Sequence, residues 1–144
     1  MAPASAGQAG TSAAATPVRL TPEQAVINAA ESEAGVTGVF EMVIRATGRA
    51  QGNLHLNTQL DYRDPRNLSI VIPAEIEEAL AARLGQPVEQ AVLNSAIAVR
   101  GTARKTRIDF LDPSSRPTGR YYFQTHLRLQ AARHLTVAGE TPFS

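Results

Sequence analysis

Cysteine is absent from the 144 residues of this chain. That excludes a disulfide framework, a thiolate nucleophile and any cysteine-based zinc or iron–sulfur centre. Neither sign of charge dominates: fourteen basic residues against thirteen acidic ones leave a net charge of +1. Global charge is therefore not that of a nucleic-acid binder, and any such role has to rest on local charge. Long apolar runs are missing too; none approaches the roughly eighteen residues needed to span a bilayer. The first seventeen residues, MAPASAGQAGTSAAATP, contain no charged side chain and lack the apolar h-region and basic n-region of a secretory signal. Residues 1–20 are expected to form a disordered Ala/Ser/Gly-rich tail. The chain as written reads as soluble, cytoplasmic as it stands or periplasmic if a signal peptide has been removed.

A chain of this length suits one domain plus a tail. Thr21-Pro22-Glu23-Gln24 has the order of a helix start, with threonine as N-cap, proline at the first helical position and glutamine placed for a capping box. This predicts an N-terminal helix within residues 21–34, ended by Gly35. Phe40, Met42 and Ile44 then alternate with polar or smaller residues as strand one. Thr47 to Asn53 reads as a polar hairpin turn with Arg49 at its tip, and Leu54 and Leu56 alternate with His55 and Asn57 in strand two. Asp61 to Asn67 is a run of turn formers, after which Leu68, Ile70 and Ile72 mark strand three. Pro73 at a first helical position, acidic residues after it and Gly85 as cap define a helix with Ile76, Leu80 and Leu84 as its buried stripe. Val88 to Ser95 has room for another helical turn. Ala96 to Phe110 reads as strand four, with a bulge near Gly101 to Lys105 to explain an apparent change of buried parity from Ile97 and Val99 to Ile108 and Phe110. Strand five carries Tyr121, Phe123, Leu127 and Leu129 on its expected core face. The order β-β-β-α-β-β is that of a five-stranded OB-type barrel with a helix between strands three and four. On this reading residues 35–137 are the OB-fold domain in an all-β chain with minor α, followed by a C-terminal tail over 138–144.

The run Leu54-His55-Leu56-Asn57, followed by Asp61-Tyr62-Arg63-Asp64-Pro65-Arg66-Asn67-Leu68-Ser69-Ile70-Val71-Ile72, resembles a group of largely uncharacterised bacterial OB-fold proteins that share a DYRDPxN-type motif across strands two and three. Ile97 to Ala103 is similar to their fourth strand. Leu68 stands where such proteins often carry phenylalanine, and Tyr121 to Leu127 stands in place of their usual fifth-strand motif. The resemblance implies the barrel and, by fold analogy alone, nucleic-acid binding.

Chemistry of the catalytic kind finds little support in the spacing. His55, His126 and His134 lie on separate elements with no HxH, HxxxH or HExxH pattern. Asp61 and Asp64 lack the rest of a calcium loop and read as turn caps. No catalytic residue, metal ligand or cofactor is assigned. Local charge is more informative: between Arg100 and Arg133 there are eight basic residues against Asp109 and Asp112. Such a surplus suits a groove that tracks a phosphate backbone, and outward aromatics would add stacking platforms. The candidate ligand-binding residues are Arg49, His55, Asn57, Tyr62, Arg104, Lys105, Arg107, Arg116, Arg120 and Tyr122. The expected function is a non-enzymatic binding module for single-stranded nucleic acid or another anionic polymer; the alternative is a protein-interaction or structural module.

Overall fold

The computed structural model describes residues 19–140. In chain order these form β1 (Arg19–Leu20), α1 (Pro22–Ala30), β2 (Val36–Val43), β3 (Ala46–Ala50), β4 (Asn53–Asn57), β5 (Leu68–Ile72), α2 (Ala74–Leu84), α3 (Val88–Val92), β6 (Ala96–Leu111), β7 (Pro117–Arg128) and β8 (Leu135–Val137). The described chain is mostly strand with three helices, the all-β class with minor α that the periodicities predict. Most of the expected tail over 1–20, and residues 141–144, lie outside the described residues. Arg19 and Leu20 do not belong to a tail: they pair in parallel with Val39 and Phe40, and Leu20 is buried.

One eight-stranded sheet runs in the order β1-β2-β6-β7-β5-β4-β3, with β8 paired to residues 97–99 of β6. No ladder joins its ends. Yet β2 and β3, near opposite ends of that path, are separated in sequence only by Ile44 and Arg45. There the Arg45 amide donates to the Asn57 carbonyl at 2.8 Å, and Ile44 bridges to Leu93. The sheet curls round one core of Phe40, Met42, Ile44, Leu54, Leu56, Leu68, Ile70, Ile72, Ile97, Val99 and Leu127. Leu80 of α2, Val88 and Val92 of α3 and Ala25 of α1 pack into it.

Helix α1 starts as its sequence predicts. Thr21 Oγ1 accepts from the Gln24 amide at 3.1 Å while Gln24 Oε1 accepts from the Thr21 amide at 2.9 Å, a reciprocal capping box. At α2 the assignment shifts by one residue. Pro73 is the N-cap and not the first helical residue, because its backbone is still extended as it leaves β5, while its carbonyl already accepts the Glu77 amide at 2.9 Å. Gly85 closes α2 in the left-handed conformation, with φ of 74°. The β3–β4 hairpin also departs from expectation. Thr47 to Ala50 are strand, and the turn is only Gln51 and Gly52, whose φ values of 55° and 81° match a tight type I′ turn. Arg49 is therefore not at the tip.

The DYRDPRN segment is a turn held by side chains. The Asp61 and Asp64 carboxylates accept the amides of Arg63 and Arg66, each at 2.9 Å. Asn67 is buried; its Oδ1 accepts the Gln59 amide at 3.0 Å and its Nδ2 donates to Asn57 Oδ1 at 3.1 Å. Tyr62 is exposed, with the Arg63 guanidinium 5.3 Å from its ring centre.

The largest correction concerns β6 and β7. The β2–β6 ladder is continuous from Ala96 to Ala103, and the β6–β7 ladder from Ala103 to Asp109; the register shifts only between Asp109 and Leu111. There is no bulge near Gly101. Parity is conserved along β6, with Ile97, Val99 and Ala103 inward, and Ile108 and Phe110 lie on the opposite face because the strand has left the core. Gly101 answers a close approach: a Cβ there would stand 2.8 Å from Leu127 Cδ2. Past Ala103 on β6 and before Thr125 on β7, the two strands pair only with each other among the described residues. They form a two-stranded ribbon, so Phe110, Tyr121 and Phe123, assigned to the core from their parity, are 41%, 50% and 47% exposed.

Gly101→Val is predicted to lower the urea midpoint by an amount equivalent to about 1–3 kcal/mol through overpacking against Leu127, with little change in slope. Gly48→Val, where a Cβ would meet nothing within 4 Å, is predicted to leave the midpoint nearly unchanged.

Candidate functional site

Residues that alternate away from the core on four adjacent strands share one outer surface. β4 presents Asn53 and His55; β5 presents Ser69 and Val71; β7 presents Gln124, His126 and Arg128; β6 presents Arg100, Thr102, Arg104, Thr106 and Ile108. A groove of about 820 Å³ crosses this surface, continued by Gln51, Gln130 and His134. Four arginines line it, Arg100, Arg104, Arg107 and Arg128, with Asp109 as the single carboxylate. That carboxylate is occupied, since Arg107 Nε donates to Asp109 Oδ1 at 3.0 Å. The groove wall is thus cationic.

Its floor is held by a relay of side chains. Gln124 Nε2 donates to Tyr122 Oη at 2.7 Å, which leaves Gln124 Oε1 to accept from His126 Nε2 at 2.7 Å. That arrangement puts the proton of neutral His126 on Nε2. The His126 ring meets His55 edge to face, with centroids 5.7 Å apart, and His55 Nδ1 lies 3.2 Å from Ser69 Oγ. Burial, reinforced by the neighbouring His55, lowers the pKa of His126 from 6.5 to about 4; burial also lowers that of His55. At neutral pH the floor is uncharged between arginine walls. Among the described residues no carboxylate bonds either ring, and the Ser69–His55 contact has no orienting acid of the kind a nucleophilic triad uses. His134 Nδ1, at one end of the groove, is buried without a hydrogen-bond partner among the described residues.

At the other end the same face continues onto the ribbon. Phe110 and Tyr122 pack with ring centres 5.3 Å apart, and Arg120 lies 5.4 Å from the Phe110 ring centre. The opposite ribbon face carries a second set: Lys105 over Phe123 at 4.6 Å and Arg107 over Tyr121 at 4.1 Å. Interleaving of cations with aromatic faces suits stacking ligands as well as internal cation–π pairing.

The residues singled out from sequence divide accordingly. His55, Arg104 and Arg107 line the groove, and Tyr122 and Arg120 extend it. Lys105 lies on the other face of the ribbon, and Arg116 is in the turn at its tip. Tyr62, in the loop after β4, is near enough to Tyr122 to help raise the phenol pKa, behind burial as the main cause. Two others are structural. Arg49 is gripped by Glu77 at 2.6 Å and Glu89 at 2.9 Å, which ties β3 to α2 and α3, and Asn57 is buried against Asn67. Arg100, Arg128, His126, Asn53 and Gln124 were not selected from sequence. Their signal was available in the strand parity that places them on the face of His55 and Arg104. Among the described residues no three histidine, aspartate or glutamate side chains cluster as a metal site would require.

Between pH 6.5 and about 4 the unfolded chain binds a proton at His126 that the folded chain does not, so stability is predicted to fall as pH drops through that window. Urea midpoints at pH 7 and pH 5 measure this, and His126→Gln is predicted to narrow their difference. The chain matches no protein-family model and no curated protein.

Proposed function

We propose that residues 35–137 are an OB-type barrel that binds single-stranded nucleic acid, or another anionic polymer of the same charge spacing, across its outer face without catalysing a reaction. The barrel reading is supported by the ladder order. With β2 and β3 taken as two halves of one bent strand, the sequence of neighbours is first, second, third, fifth, fourth and back to first, with α2 and α3 inserted after the third. The resemblance at DYRDPRN supports the same reading.

The groove carries the ligand reading. Arg100, Arg104 and Arg128 face one neutral histidine and amide floor, and the one carboxylate is already bound by Arg107. A phosphate backbone would run along Arg100, Arg104 and Arg128. Bases would reach the hydrogen-bonding floor at His55, Gln124 and His126 and the rings of Tyr122 and Phe110. Exposure of Phe110, first assigned to the core, supports this reading by adding a stacking platform beside Tyr122.

Fluorescence anisotropy with a labelled single-stranded oligonucleotide tests the proposal. With three to four phosphates neutralised, log K is predicted to fall against log salt with a slope of about −2 to −3, or roughly 15- to 60-fold between 50 and 200 mM. Arg104→Ala/Arg128→Ala is predicted to make that slope shallower by about 1.4. Absence of binding at low salt, where these contacts are strongest, ends the proposal.

A further inference from the structure

The ribbon has an edge that nothing among the described residues covers. The β2–β6 ladder stops at Val36 and Ala103, while β7 occupies the other edge of β6, so Lys105 to Leu111 presents seven residues of unpaired backbone on one side. Protruding two-stranded ribbons are marginal alone, and open edges recruit further strands unless charge prevents it. Charge is present here, but it is divided. Lys105 and Arg107 precede Ile108, and Asp109 follows it.

A strand with cations in its first half and an anion in its second is complementary to itself when run antiparallel. We infer that this edge is an interface between two copies of this chain, paired antiparallel about Ile108. A two-fold axis normal to the ribbon keeps each face on its own side, so residues of like parity must stand opposite one another. Only three such registers overlap by five residues or more. One sets Arg107 against Arg107 and another sets Asp109 against Asp109. The third, with Ile108 opposite Ile108, sets Arg107 against Asp109 at two symmetric positions, Lys105 against Leu111 and Thr106 against Phe110. It opposes no like charges and gives the longest overlap.

In this arrangement the exposed apolar residues Phe110 and Leu111 gain neighbours from the second chain. The Arg107–Asp109 pair of one chain, 3.0 Å apart, becomes one half of a four-membered array of alternating charge. Because the axis is normal to the ribbon, the groove faces of both chains end on the same side, so the two form one continuous surface. The pairing itself does not depend on what the groove binds.

Sedimentation equilibrium of the full chain without nucleic acid tests this. Edge pairing buries little area, so association is expected to be weak, with the mass rising toward twice that of the monomer between about 5 and 500 µM. Arg107→Asp and Asp109→Arg each set like charges opposite one another and are expected to keep the chain monomeric, whereas the exchanged double variant restores the dimer. Circular dichroism establishes that each variant is folded. The inference is overturned by a monomeric wild type across this range, or by a dimer that survives either single reversal. It is equally overturned if the double variant does not recover association. Since no oligonucleotide is present, these outcomes stand apart from the salt titration of the groove.

Discussion

A β-strand has a two-residue period and cannot change which face it buries without a bulge. β6 obeys this from Ala96 to Asp109, and much of the molecule follows from it. Its first half lies between β2 on one edge and β8 on the other, with Ile97, Val99 and Ala103 in the core. Its second half keeps the same alternation after the core has ended, and β7 keeps pace beside it. Core-facing parity therefore turns into an exposed face of Lys105, Arg107, Tyr121 and Phe123. The outward parity runs unbroken from Arg100 through Arg104 to Ile108. Gly101, just before this transition, leaves room for the Leu127 side chain.

The cationic character of the groove comes less from an excess of basic residues than from where the acidic ones are spent. Glu77 and Glu89 hold Arg49, Glu140 holds Arg83, Glu41 holds Arg19, and Asp61 and Asp64 fold back on their own loop. Exposed pairs of this kind add little stability. They do leave Arg100, Arg104 and Arg128 facing a surface without competing carboxylates, so a chain with a net charge of +1 presents one strongly polarised face. The histidine floor fits that design, because His126 is held neutral by burial and adds no repulsion between the arginine walls.

Local rules made the helices, β2, β4, β5 and the Asn67 turn legible, since capping, alternation and turn chemistry act over a few residues. Thr21 with Gln24 and Gly85 illustrate this. Termini of elements were less legible, because Pro73 and the β3–β4 turn depend on how far a neighbouring ladder extends. The β6–β7 ribbon was misread for a physical reason. Alternation reports that two faces differ, and it does not report whether anything covers them. Phe110, Tyr121 and Phe123 have the composition of a core face without a core beneath it. Arg49 was misjudged in the same way, since the carboxylates that bind it come from helices 28 and 40 residues away in sequence. Strand parity applied to all four strands at once would have found Arg100, His126 and Arg128.

The proposed binding lays a single strand of nucleic acid on the outer face of β4, β5, β7 and β6. Two-dimensional amide NMR of the labelled protein during addition of a short single-stranded oligonucleotide at low salt reads that face directly. Progressive shifts are predicted at Asn53, His55, Arg100 to Ile108 and Tyr122 to Arg128, with α1 and α2 unmoved. Shifts confined to the helices, or none at saturating oligonucleotide, would contradict it.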